Sequence, residues 1–228
     1  MIIERKEYLE KLIAWKDKQL IKIVTGVRRC GKSMLLEIYR NYLKEHGIEE
    51  EQIISINFED LDYEELTDYR KLYKYLKERL LDGKMTYIFL DEIQNVTDFP
   101  KVLDSLYIKK NIDIYVTGSN AYMLSSEIAT MISGRYIQIE MLPLSFKEYM
   151  ESTGSMNDRG IKYAEYLQNS SFPFTLELKN QPDEIRDYLE GIYNTIVVKD
   201  IINRKKITDT MMPVSYTHLR AHETLANL

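Results

Sequence analysis

The sequence predicts an α/β protein: a doubly wound, mainly parallel sheet with a small helical appendage behind it. Three observations predict this. Five short apolar runs recur along the chain. Most end in glycine, hydroxyl or acidic residues, as strands do where they deliver ligand groups at their carboxyl ends. Between several of them lie stretches with apolar residues three and four apart, the spacing of one helix face.

In chain order, Lys6 to Trp15 places Leu9, Leu12 and Ile13 at helical spacing. Leu20 to Thr25 is short and β-branched and reads as the first central strand. From Lys32 to about Glu45, Leu35, Ile38, Tyr39 and Tyr42 form one stripe, closed by Gly47. Ile53 to Phe58 is the second strand and brings Glu59-Asp60 to its end, with no role assigned to that pair. Tyr69 to Leu81 is helical by Leu72, Tyr75 and Leu76. Tyr87 to Leu90 is a strand leading into Asp91-Glu92, and Ile112 to Thr117 another, leading into Gly118-Ser119-Asn120. Arg135 to Glu140 alternates and supplies the last strand, and a helix starts at Leu144 after Pro143. The polar stretch Ser152 to Gly160 marks a domain boundary. The expected division is therefore a first domain over 1–155 and a helical segment over 156–213. The second part carries a short helix (Ile161 to Leu167) and a long one with Ile185, Tyr188, Leu189, Ile192, Tyr193, Ile196 and Val197 on one stripe. The tyrosines read as half-buried packing residues, mostly on helical stripes.

Composition narrows the function classes. The chain has 228 residues, 44% of them apolar and 29% charged, with a net charge of −5. That balance suits a soluble surface and disfavours a basic nucleic-acid face across the whole chain. The single cysteine, Cys30, excludes an internal disulfide framework and suits a reducing cytoplasm. No run approaches a membrane span, so a cytoplasmic location without a membrane partner is expected. The three histidines and one cysteine offer no zinc cluster.

The chemistry concentrates at Gly26-Val27-Arg28-Arg29-Cys30-Gly31-Lys32-Ser33, between the first strand and the helix that follows. Two glycines, then Lys and Ser, at this spacing form a phosphate-binding loop of the P-loop NTPase type. Its glycines let successive N–H groups converge on phosphate oxygens, and the helix adds the positive end of its dipole. Gly26 through Met34 is the expected nucleotide-binding set. Lys32 would reach the β- and γ-phosphates of ATP, and Ser33 would take a position on Mg²⁺. A glycine-containing turn that binds nothing is the bland alternative, and the strand before and helix after argue against it.

Asp91, at the end of an apolar strand, is the expected second Mg²⁺ ligand. Glu92 is placed to orient and deprotonate a water for in-line attack. Ser119 or Asn120, on the strand expected beside the loop strand, is a candidate sensor of the γ-phosphate, although Gly-Ser-Asn is also ordinary turn chemistry. Arg135 is a candidate charge stabiliser in cis or, from a neighbouring copy, in trans; a surface salt bridge is the competing reading.

The combination of Val24 through Ser33, Phe89-Leu90-Asp91-Glu92-Ile93-Gln94, Thr117-Gly118-Ser119-Asn120 and Leu142-Pro143-Leu144-Ser145-Phe146 resembles a prokaryotic AAA-type ATPase family in which a DUF4143 region follows the AAA domain. The resemblance covers about Ile2 to Asp209. It implies an additional-strand ATPase core with Glu92 as the water-activating carboxylate and Ser119 or Asn120 as the sensor. It also implies a winged-helix segment and a nuclease-like C-terminal region, which this sequence lacks, so that the long helix would expose an apolar stripe. DNA or protein partners would act through that region. A family Gly-Gly pair appears here as Ser170-Ser171. From Val214 the chain resembles read-through of a sequencing adapter, so residues 214–228 are set aside as a non-native tail. The reading reached is Mg²⁺-dependent ATP hydrolysis driving or gating a C-terminal effector. A nucleotide-gated switch for DNA or protein is the alternative, and a small-molecule kinase is disfavoured because Glu92 is positioned for water.

Overall fold

Strand β1 (Ile21–Gly26) is buried along its whole length, as a strand covered on both faces must be. The computed structural model describes residues 3–119, 132, 134–154, 158–178 and 181–196. Within them, β2 (Ile53–Asn57), β3 (Thr86–Asp91), β4 (Ile112–Ser119) and β5 (Tyr136–Met141) join β1 in one sheet of order β5-β1-β4-β3-β2. All four pairings are parallel. The strand carrying Gly118 and Ser119 therefore lies beside the loop strand, between it and the strand carrying Asp91.

Alternation along the strands sorts the core into two layers. Ile23, Ile88, Leu90, Ile114 and Val116 face helices α3 (Tyr69–Lys77) and α4 (Phe99–Tyr107) through Leu72, Leu76, Val102, Leu103 and Leu106. Val24, Tyr87, Phe89, Tyr115, Ile139 and Met141 face α1 (Lys6–Ala14) and α2 (Lys32–Glu45) through Leu12, Leu35, Leu36, Tyr39 and Leu43. This is the doubly wound arrangement that the sequence predicts.

The details differ in places. Helix α3 stops at Lys77 rather than Leu81 because the chain turns toward β3, and the Leu81 N–H donates to Thr86 Oγ1 at 3.2 Å. Helix α4, with Pro100 in its first turn, was not foreseen. Strand β5 begins one residue later than expected, with the Arg135 carbonyl accepting from Ile21 N at 2.9 Å. Tyr87 and Tyr115 are not half-buried helix residues. They lie in strands, fully buried, with hydroxyls bonded to Asp17 and Asp113.

Helices α5 (Phe146–Thr153) and α6 (Arg159–Asn169) follow β5. Ser145 caps α5 reciprocally with Glu148. Ser170, one of the serines standing where the resemblance has glycine, takes φ 70°, so the turn keeps a glycine-like backbone without the glycine. The chain divides into two compact units, Met1–Glu177 and Leu178–Leu228, and the stretch 152–160 falls within the first. In the second, α7 (Pro182–Thr195) has Ile185 and Ile192 buried and Tyr193 exposed. The expected tail over 214–228 lies outside the described residues.

Candidate active site

The loop sits where β1 ends and α2 begins, at the carboxyl edge of the sheet beside the point where strand order reverses. Gly26 is obligatory for contact reasons: a Cβ there would lie 2.3 Å from the Met141 carbonyl oxygen and 2.9 Å from Cys30 Sγ. Gly31 takes φ 102° at the α2 N-cap, a conformation that L side chains rarely adopt. Cys30 fills the space under the loop, and burial pushes its thiol above the ordinary value. It is packing, not a reactive thiol.

Lys32 turns inward. Its side chain is 4% exposed and Nζ donates to the carbonyl oxygens of Gly26 at 3.2 Å and Val27 at 3.3 Å, with Glu92 Oε1 at 3.7 Å. Ser33 and Met34 are exposed in the first turn of α2. Arg28 extends toward Glu59, Nη1 to Oε1 3.8 Å, which ties the loop to the end of β2. Arg29 has φ 65° within the same bend.

Asp91 and Glu92 are both buried carboxyl residues. One hydroxyl organises them. Thr117 Oγ1 donates to Asp91 Oδ1 and accepts from the Glu92 backbone N–H at 2.9 Å. Glu92 itself adopts φ 54°, a left-handed conformation for a non-glycine residue. Strain of this kind costs about 1–3 kcal/mol and clusters at functional sites. Gln94 Nε2 donates to Glu92 Oε2. The carboxylate is thus held between Gln94 and Lys32.

Of the remaining sequence candidates, Ser119 pairs in register with Gly26, which places its backbone at the loop. Asn120 lies outside the described residues. Arg135 is not brought to the loop. It stands at the opposite end of the sheet, ahead of β5, in an ion pair with Asp104 and over the Tyr107 ring at 5.3 Å. The surface salt bridge is the arrangement found.

Two residues were missed from sequence. Thr117 had a usable signal, a hydroxyl at a strand end beside an acidic strand end. Arg5 had none, standing in the charged run Glu4 to Glu7. It is 4% exposed, donates from Nη1 to the Cys30 carbonyl (3.1 Å) and from Nη2 to the Leu142 carbonyl (2.6 Å), and pairs with Glu148 at 2.8 Å.

A family model described as AAA domain matches residues 18–150, more than half of the chain. This chain belongs to the AAA family. A protein of undetermined character from Haemophilus influenzae is 39% identical over 215 residues, 92% of this chain and 53% of its own length. A second, MJ1544 of Methanocaldococcus jannaschii, is 32% identical over 205 residues, 82% of this chain and 43% of its own. The chain spans about half the length of these relatives. The Walker-type ATPase paby2304 of Pyrococcus abyssi superposes with a TM-score of 0.55 at 17% identity, over 90% of this chain and 76% of that one, a likeness of fold. The AAA fold implies nucleotide binding. Among the described residues no helix is long and apolar enough to cross a membrane.

Proposed function

We propose that the chain binds ATP in the loop from Gly26 to Met34 and hydrolyses it to ADP and phosphate. The observation that carries this reading is the Glu92 carboxylate, buried beside Lys32 Nζ at 3.7 Å and immediately after Asp91. On ATP arrival Lys32 exchanges the Gly26 and Val27 carbonyls for phosphate oxygens, which keep it satisfied in the buried setting. Glu92 takes a proton from a water. The water oxygen bonds to the γ-phosphorus, and the bridging P–O bond breaks with its electron pair leaving on ADP.

The donor set fits Mg²⁺. Among the described residues no group of three or more His, Cys, Asp or Glu side chains could hold a metal by itself. Mg²⁺ is commonly held by one or two protein groups together with substrate phosphates. Ser33 and Asp91 are the residues that would hold it, and when bound it would neutralise charge on the β- and γ-phosphates. Ser119 and Asn120 remain the sensor candidates. Arg135 could serve a neighbouring copy in a homo-oligomer only by leaving Asp104 and Tyr107.

The second reading, a nucleotide-gated switch, draws support from Lys32, whose bonds to the loop's own carbonyls must rearrange when ATP binds. The C-terminal half of the longer relatives is the natural recipient of either output, with DNA or protein as its partner and the cytoplasm as its setting.

Glu92→Gln separates the two. A protein that binds ATP but releases no phosphate and loses its biological output supports hydrolysis. Persisting output with ATP bound supports the switch. A Lys32→Ala protein that binds ATP normally refutes both.

A further inference from the structure

Gln94 occupies the middle of the short 3₁₀ turn Ile93–Asn95 directly after Glu92. The turn is pinned. Asn95 N donates to the Glu92 carbonyl at 3.1 Å, Val96 N to the Ile93 carbonyl at 3.0 Å, and Asn95 Nδ2 to the Phe58 carbonyl at 3.2 Å. The left-handed backbone of Glu92 brings side chains 92 and 94 together, and Gln94 Nε2 donates to Glu92 Oε2. That bond fixes which way the amide faces, since the reversed amide would set its oxygen against a carboxylate.

The consequence falls on the other amide atom. Gln94 Oε1 is buried and, among the described residues, has no hydrogen-bond partner. A buried carbonyl without a donor is disfavoured and calls for a specific use. It lies on the side chain that touches the proposed general base, so the donor that suits it is a water shared with Glu92.

We infer that Gln94 is a second water-holding residue of the hydrolytic site, a role that rests on the hydrolytic reading above. A water that gives one hydrogen to Glu92 and the other to Gln94 Oε1 has both O–H bonds directed at protein. Its free lone pair is then left to face the phosphate. Glu92 alone would fix one O–H and leave the water to rotate about it; a second acceptor sets the angle of attack. As the water oxygen bonds to the γ-phosphorus, the O–H facing Glu92 breaks and its proton passes to the carboxylate. The bridging P–O bond breaks with its electron pair on ADP, and Glu92 afterwards returns the proton to solvent or phosphate.

The test compares wild type, Glu92→Gln, Gln94→Met and Gln94→His as purified whole chains. It reads phosphate release with Mg-ATP, the Kd for ATP, the Mg²⁺ concentration for half-maximal rate, and Tm. Gln94→Met keeps the length but removes donor and acceptor, so kcat is expected to fall roughly 100-fold while ATP affinity stays within about twofold. Gln94→His restores a donor and an acceptor and recovers to within about tenfold of wild type. Gln94→Met with an unchanged kcat overturns the inference. So does a loss of affinity that matches the loss of rate, or a raised Mg²⁺ requirement, which would make Gln94 a loop support or a metal-site residue. Wild type without phosphate release, or an active Glu92→Gln, defeats the hydrolytic reading itself. Indifferent Gln94 variants beside an inactive Glu92→Gln defeat only the inference.

Discussion

Arg5 Nη1 donates to the Cys30 carbonyl at 3.1 Å, joining a residue ahead of α1 to the backbone of the phosphate loop. The same guanidinium reaches the Leu142 carbonyl beyond β5 and pairs with Glu148 of α5. Tyr8, whose ring lies 4.8 Å from the guanidinium carbon, accepts from Leu142 N at 3.2 Å. Three segments distant in sequence thus converge on the loop's rear wall.

Arg5→Lys keeps the charge but loses the planar fork that spans two carbonyls. Its ATP Kd is expected to rise about fivefold to tenfold, with a modest fall in Tm. Arg5→Ala strands Glu148 and should cost about 3–5 kcal/mol of stability. Calorimetric titration with ATP and urea unfolding check the pair. Unchanged affinity in Arg5→Lys would reduce Arg5 to a fold residue.

Thr117 gives the second prediction. Its hydroxyl is donor to Asp91 and acceptor from Glu92 N, and the residue is fully buried. Thr117→Val matches its shape and deletes both bonds, leaving a buried N–H without an acceptor. The expected cost is about 1–3 kcal/mol. Because Asp91 and Glu92 both lose their fixed positions, kcat should fall more than ATP affinity. Thr117→Ser keeps the hydroxyl and should behave nearly as wild type. Equal losses in both variants would show that the methyl group matters, not the hydrogen bonds.

The sheet was legible because each apolar strand is its own signal, and the loop because its spacing is local. Helix α4 escaped notice although Val102, Leu103 and Leu106 have helical spacing, since Pro100 broke the pattern that a purely local reading follows. Arg5 and Thr117 were illegible for another reason. Arg5 meets Leu142 across 137 positions and Thr117 meets Asp91 across 26, so their chemistry exists only once the sheet has closed. Lys22 is the clearest case. A lysine in a strand reads as an edge or surface position, yet this one is fully buried on an interior strand, between β4 and β5.

Lys22 survives there because Nζ donates to Asp113 and to the Lys18 carbonyl at 2.6 Å. Asp113 also accepts from Tyr115 OH at 2.7 Å and Asp17 N at 2.8 Å, and Tyr115 OH meets Tyr39 OH at 2.9 Å. Burial draws Lys22 below the ordinary ammonium value and Asp113 above the ordinary carboxylate value, and each is the other's chief electrostatic counterweight. Lys22→Met leaves a buried carboxylate uncompensated and should cost about 3–5 kcal/mol. Adding Asp113→Asn removes that charge while keeping an acceptor for Tyr115 and Asp17. The double variant should therefore be more stable than Lys22→Met alone, as urea unfolding would show; additive losses would contradict the pairing.

Asp17 sets an acid-sensitive contact at the margin of this network. Burial alone would raise its carboxyl, but hydrogen bonds from Lys16 Nζ (2.8 Å) and Tyr87 OH (2.7 Å) outweigh it and hold the group below its ordinary value of 3.8. The unfolded chain takes up the proton as pH falls through 3.8, whereas the folded chain resists until lower pH. The contribution is therefore present in full above that window and lost as pH falls through the folded value. The carboxyl is partly exposed, so the effect is small and screened by salt. Asp17→Asn should lower the urea midpoint at about pH 7, and the gap from wild type should close as pH falls below 3.8 through the folded value. A gap that widens on acidification would mean that Asp17 is raised rather than lowered, and that Tyr87 and Lys16 do not hold its charge.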